Sequence, residues 1–218
     1  MSISYNTSIV TTNLIACFDP GNPRTYSGSG TALRDASGNG YTGTLINGPT
    51  YSSVNGGVFV LDGVNDWIDI PGINLTTTNY TVIGACRYTN ASAGGRIFSA
   101  RNNNWLMGAW AGGTENYYAE GWVTTAGTGT SDNNWRILAA TGNIVGDTYG
   151  LYVNGVAQSV ATPTGGSAGP NGFGIGSYGA GASEFSASQV GFLLVYNTVL
   201  TADQINQNFN AFRGRYGL

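Results

Sequence analysis

Thirty-five glycines and six prolines are spread along the whole 218-residue chain, and they leave only short apolar runs between them. Turn signals at this spacing fit an antiparallel sandwich of short strands, because Gly and Pro end each strand before it can lengthen. Strands are expected near 13–19, 43–46, 58–61, 66–70, 80–88, 96–101 and 105–110. Further strands are expected near 117–124, 135–141, 150–153, 156–160, 173–176 and 189–196. The polar stretches 22–40, 112–116, 126–134, 163–172 and 177–188 read as loops.

Patterning sharpens some of these. Tyr80, Val82, Cys86 and Tyr88 alternate with Thr81 and Arg87, so one face of that strand is apolar. The run from Val190 to Tyr196 is apolar on both faces and predicts a central, covered strand. Asn154-Gly155 between two apolar runs suits a type I′ hairpin. Asp62-Gly63-Val64-Asn65 reads as a second hairpin turn. Near the end, Thr201 and Gln204 have capping-box spacing. Ile205, Phe209 and Phe212 then form one apolar stripe, and Gly214 is a natural stop. This predicts a helix over 201–213 that docks on a sheet edge or on a neighbouring subunit.

Composition removes several function classes. Charged residues are only 9% of the chain, against about 25% in ordinary domains. Five Trp, thirteen Tyr and eight Phe nevertheless supply ample surface to bury, so disorder is disfavoured. A chain this long buries about 70% of its extended surface as one domain, here 1–218 with an N-terminal arm at 1–12. No run approaches the ~18 apolar residues of a membrane span. All eight basic residues are Arg and there is no His, which excludes a His-based triad, a His-ligated zinc and a lysine Schiff base. A net charge of −3 argues against a surface that neutralises nucleic-acid phosphates. The first six residues have neither a basic start nor an apolar stretch, so a cytosolic origin is expected, with Cys17 and Cys86 as reduced core thiols.

Three internal segments carry a resemblance. Asp35, Ser37, Gly38, Asn39, Gly40 and Gly43 form a D-x-S-G-N-G-x-x-G stretch. Phe59, Asp62, Gly63, Asn65, Asp66 and Ile70 follow as F-x-x-D-G-x-N-D-Y-V-x-I, with Trp67 and Ile68 at its aromatic and branched positions. Tyr149, Leu151, Tyr152, Val153, Asn154 and Gly155 form Y-x-L-Y-V-N-G. Together, and in this order, they resemble the laminin-G-like, concanavalin A-like jelly rolls. The ends are similar to such domains in virion proteins of tailed bacteriophages, cyanophages above all. Leu14, Asp19, Asn22, Pro23 and Tyr26 match the opening. Leu200-Thr201 through Tyr216-Gly217 matches the L-T-x-x-E-I-x-Q-N-Y-N-A-x-x-G-R-Y-G ending, with Gln204 in place of Glu.

The resemblance implies an all-β sandwich with a short C-terminal helix. It implies a virion structural protein, either capsid decoration or part of a fibre, that is assembled in the host cytoplasm. Its partners would be the major capsid protein or other virion proteins, in a symmetric homo-oligomer, with three copies suggested by virion symmetry. Phe209, Phe212, Arg213 and Arg215 are the candidates for assembly contacts. Arg213 and Arg215 would clamp a neighbour's acid or simply favour the helix's negative end.

The alternative role is a lectin for host-surface glycan. Trp105, Trp110, Tyr117, Tyr118 and Trp122 lie in consecutive strands beside Asn103 and Asn116, which suits a sugar platform, although core packing would also use these rings, Trp105 and Trp122 in particular. A third role, β-glucan hydrolysis, is disfavoured and the chain is expected not to be an enzyme. Such enzymes place paired carboxylates on one strand, whereas Glu115 and Glu120 are five residues apart and would face opposite ways. No cofactor is expected. Asp35, Ser37 and Asn39 offer calcium-type oxygens, against the simpler reading that they close turns on their own backbone.

Overall fold

The computed structural model describes residues 8–90 and 94–218. Most of the expected N-terminal arm and the opening six residues therefore lie outside the described residues. The first strands are β1 (Leu14–Phe18), β2 (Ala32–Arg34), β3 (Thr42–Ile46), β4 (Thr50–Ser52) and β5 (Val58–Asp62). They are followed by β6 (Trp67–Asn74), β7 (Tyr80–Tyr88), β8 (Phe98–Ser99), β9 (Trp105–Trp110) and β10 (Gly113–Ala119). The last are β11 (Arg136–Asn143), β12 (Thr148–Val153), β13 (Val156–Ala157), β14 (Asn171–Ile175) and β15 (Ala187–Tyr196), before the helix α1 (Ala202–Tyr216).

These strands form two facing layers, so the chain is the expected antiparallel β-sandwich. The back layer has the order β13-β12-β11-β7-β15-β5-β4, with β1 also paired to β15. The front layer consists of β10-β9-β8 and β14-β6-β3-β2. A bridge between Ala100 and Phe173 joins its two halves. Between the layers lies the main core, in which Trp105 meets Tyr80, Tyr117 and Phe173 edge-on at centroid distances of 6.3, 6.0 and 6.0 Å.

The two-sided strand expected near the C-terminus is β15, which is buried along nearly its whole length. Its inner face (Val190, Leu193, Val195) joins the main core. Its outer face (Phe192, Leu194, Tyr196) joins a second cluster with Ile83, Ile137, Ile205 and Tyr216. The helix covers that outer face rather than a sheet edge. Phe212 stacks on Phe192 at 3.9 Å, and Tyr216 lies 4.6 Å from Trp135. The strand bulges between Val190 and Phe192. The bare Gly191 there makes room for Tyr216, because a Cβ would sit 2.0 Å from its hydroxyl oxygen. Residues 8–12 also lie against the helix. The Val10 N–H donates to Asn208 Oδ1 at 2.9 Å, and the Tyr196 hydroxyl donates to the Val10 carbonyl.

Several expectations need correction. The helix runs through Gly214 and stops at Gly217, which has φ 70 and takes the left-handed conformation that ends helices. The cap at Thr201 and Gln204 forms as expected. Asp62–Asp66 is not a hairpin. It is a corner that carries the chain from β5 in the back layer to β6 in the front. The Asp62 carboxylate accepts from the N–H groups of Val64, Asn65 and Asp66, and the Val64 bond foremost lowers its pKa. The stretch 112–116 is largely strand, because Ala111 and Gly112, both at positive φ, complete the turn alone. Asn154 and Gly155 form the expected hairpin turn with φ 51 and 79. Cys17 and Cys86 are free and buried, one in each cluster, and burial foremost pushes both thiols up to about 12.

The helix correction predicts opposite outcomes for two glycines. Gly214→Ala should raise stability by about 0.5–1 kcal/mol, since that Cβ enters open space inside a helix. Gly217→Ala should lower it by about 1–2 kcal/mol, the cost of a left-handed alanine. Denaturant titration of both variants checks this. The loop before β11 gives a pH prediction. Arg136 hydrogen-bonds Asp132 and holds its carboxyl down at about 2, while also reaching Glu115. Its ordinary value is about 3.9, so the pair's contribution is complete above pH ~4 and is lost as pH falls toward 2. Asp132→Asn should remove that part of the acid limb, worth less than about 1 kcal/mol at this partly exposed site. Melting curves between pH 2 and 6 would show it.

Candidate functional site

Strand alternation sorts β9 into two faces. Trp105, Met107 and Ala109 enter the core, so Leu106 and Trp110 turn to the outer face of the front layer. On β10, Tyr117 and Ala119 face inward, and Tyr118, paired with Leu106, faces out. Beyond Ala119 the chain does not continue as a strand. Glu120 adopts φ 54 and reverses it, so that Trp122 bridges back beside Tyr118. The expected strand 117–124 is thus a strand, a tight turn and a return. Trp122 is held there by backbone bonds: Val123 and Thr124 donate to the Tyr117 carbonyl, and Thr162 donates to the Val123 carbonyl.

The result is a group of three partly exposed rings. Trp122 lies 5.4 Å from Trp110, tilted at 47°, and 5.1 Å from Tyr118, edge-on at 76°. A polar network borders them. The Trp110 indole N–H donates to Glu184 Oε2 at 3.0 Å. Arg96 donates to the same oxygen at 2.6 Å and to Asn104 Oδ1 at 2.7 Å, with its guanidinium 4.3 Å over the Tyr178 ring. The Asn104 N–H donates to Glu120 Oε1 at 2.7 Å. Arg96 is nearly fully buried, so this charge is fixed by its partners. Trp110 is thereby anchored through its only polar atom, which leaves its apolar ring for contact.

The glycan candidates divide accordingly. Trp110 and Tyr118 belong to this patch. Trp105 and Tyr117 do not, because both are fully buried and linked by hydrogen bonds. The Trp105 indole donates to the Tyr80 hydroxyl at 3.0 Å, Tyr80 meets Tyr117 at 2.5 Å, and Tyr117 donates to the Thr141 carbonyl at 3.0 Å. Asn116 is also fully buried. Its amide binds the Gly108 and Trp110 carbonyls, and its oxygen takes the Gly127 N–H. Asn103 ties the Gly169 carbonyl and the Asn171 N–H, so it holds a loop rather than facing the patch. Trp122, weighed for both the platform and the core, is the third member. Its position depends on the reversal at Glu120, which strand periodicity does not reveal.

The other candidates turn inward. The Asp35 carboxylate accepts from the Cys17 and Ser37 N–H groups and the Ser37 hydroxyl. Asn39 donates to the Ile15 carbonyl. These three residues staple their loop to β1. Among the described residues, no group of three or more His, Cys, Asp or Glu could hold a metal ion. Arg215 is engaged within the chain. It binds Asp19 through two nitrogens at 2.8 and 3.0 Å and also the Asn55 and Gly57 carbonyls. Phe209 and Phe212 pack on the helix-covered cluster, and Arg213 lies 5.9 Å over the Phe209 ring.

Comparison with known proteins agrees with this architecture. No curated protein sequence matches the chain. Among solved structures, the binding domain of Paraclostridial Mosquitocidal Protein 1 is similar at 16% identity and TM-score 0.67, over 93% of this chain and 53% of that one. Domain 4 of AbnA, an extracellular arabinanase from Geobacillus stearothermophilus in complex with arabinotriose, gives 20% identity and TM-score 0.64 over 90% and 98%. Trypanosoma rangeli sialidase in complex with sialic acid gives 16% and 0.65 over 95% and 34%. The chain spans about half the length of the first of these, and at such identities the likeness shows the fold. The family model for the concanavalin A-like lectin/glucanases superfamily matches residues 62–206, well over half of the sequence, and the chain belongs to that superfamily.

Proposed function

We propose that the chain is a glycan-binding module that takes sugar on the aromatic patch formed by Trp110, Tyr118 and Trp122. The carrying observation is the patch itself: Trp122 in contact with both Trp110 and Tyr118 on the outer face of the front layer, with the Trp110 N–H already satisfied by Glu184. Aromatic rings with a polar border suit an amphipathic ligand, because each ring offers an apolar body beside hydrogen-bonding groups. Among the described residues the back layer has no equivalent group of part-exposed rings, since the helix covers its outer face. The arabinotriose and sialic acid complexes among the similar structures support the same reading.

Binding here is without hydrolysis. A glycosidase needs two carboxylates free to act across one bond. Glu115 is engaged by Arg136, Glu120 by the Asn104 N–H, and Glu184 by Arg96 and Trp110. The engagement of Phe212 and Arg215 within the chain favours a lectin role over decoration through the helix. In a phage particle, the setting implied by the two ends of the sequence, the patch would serve recognition of the host surface.

A glycan array tests the proposal. The intact protein should give a saturable response, and Trp110→Ala and Trp122→Ala should each weaken it at least tenfold, about 1.4 kcal/mol, while melting as a single unit. A blank array, or responses unchanged in both variants, would overturn it.

A further inference from the structure

A second surface feature lies at the other end of the front layer. The aromatic patch sits by β10, and β2 is the opposite outer strand. Beside β2 is an open cavity of about 220 Å³ lined by Pro23, Arg24, Ser27, Ser29, Thr31 and Arg34 among others. It is smaller than the roughly 300–1,000 Å³ of sites for drug-sized ligands, so its occupant is one small unit.

The two arginines set its chemistry. Arg96, Arg101, Arg136 and Arg215 form ion pairs, Arg87 binds Gln189 and covers Trp135, and Arg213 covers Phe209. Among the described residues, Arg24 and Arg34 are the guanidiniums with neither a carboxylate nor a ring. Both are exposed, and no Asp or Glu lines the cavity they share.

The cavity wall is built, not loose. The Arg34 N–H donates to the Thr25 carbonyl at 2.8 Å. Thr25 is buried and its hydroxyl donates to the Asn22 carbonyl, while the Arg24 N–H donates to Asn22 Oδ1. The Tyr26 hydroxyl donates to the Gly30 carbonyl at 3.0 Å, closing the loop that carries both serines, and its ring meets Phe59 edge-on at 4.9 Å. The positive groups are therefore mounted on a segment fixed to the core, which lowers the cost of binding.

We propose that this cavity binds the carboxylate of an acidic sugar unit, with Arg24 and Arg34 taking the charge and the hydroxyls of Ser27, Ser29 and Thr31 taking the ring's polar groups. Guanidinium forks match carboxylate geometry and form its strong, charge-assisted bonds. The inference goes beyond the aromatic patch and does not depend on it, since the two sites lie on opposite outer strands.

Amide chemical-shift titration of the full chain tests it with N-acetylneuraminate, glucuronate, neutral glucose and inorganic sulfate as separate probes. Saturable shifts of Ser27, Gly28, Gly30 and Arg34 are expected with one or both acidic sugars and not with glucose. Response to N-acetylneuraminate alone or to glucuronate alone identifies the source of the carboxylate. Arg24→Gln and Arg34→Gln should each weaken that binding five- to tenfold with unchanged melting, because neither side chain supports the fold, and Trp110→Ala should leave it intact. No shift with either acid, equal shifts with glucose, sulfate binding as tight as the acidic sugars, or insensitivity to both arginine variants would overturn the proposal. Loss of array binding in Trp110→Ala with these shifts retained would separate this site from the patch.

Discussion

The buried chain of donors from Trp105 through Tyr80 and Tyr117 to the Thr141 carbonyl fixes the two layers against each other. Tyr117 donates to Thr141 and Tyr80 accepts from Trp105, so the Tyr80 proton points to Tyr117 and every polar atom is satisfied. An unpaired N–H or O–H at this depth would cost about 1–3 kcal/mol. The chain therefore determines which face of β9 and β10 looks inward. A one-residue slip would push Trp105 to solvent and bring Trp110 into the core. The outer aromatic patch is the other side of that choice.

The back layer is built on a different constraint. β15 pairs with β7 along one side and with both β5 and β1 along the other. Being apolar on both faces, it needs two covers. The front layer supplies one, and the helix with residues 8–12 supplies the second. The apolar stripe of the helix is thus consumed inside the chain. The bare face of the sandwich is the front one, where both candidate binding features lie.

Much of this was legible in the sequence. Two-state alternation in β7, the doubly apolar β15, the Asn154-Gly155 turn and the Thr201 cap all act through neighbours in the chain, and each formed. What was hidden depends on contacts distant in sequence. Gly214 reads as the stop until the last turn meets Trp135 and Phe192, and the helix ends at Gly217 instead. The corner at Asp62–Asp66 has hairpin composition, and only the partners of β5 and β6 reveal that it changes layers. Trp105 and Trp110 are the same residue type five positions apart in one strand, and the sequence alone did not say which faces water. The left-handed Glu120 that brings Trp122 to the surface carries no compositional signal.

The two cysteines sit on opposite sides of one sheet, Cys86 between the layers and Cys17 beneath the helix. No rotamer change can bring their sulfurs together across a sheet, so oxidation has no intramolecular bridge to make. Each thiol instead marks a separate seam of the molecule. A blocking reagent that reached Cys17 first would reveal the helix lifting while the sandwich stayed closed, and one that reached Cys86 would reveal the layers parting.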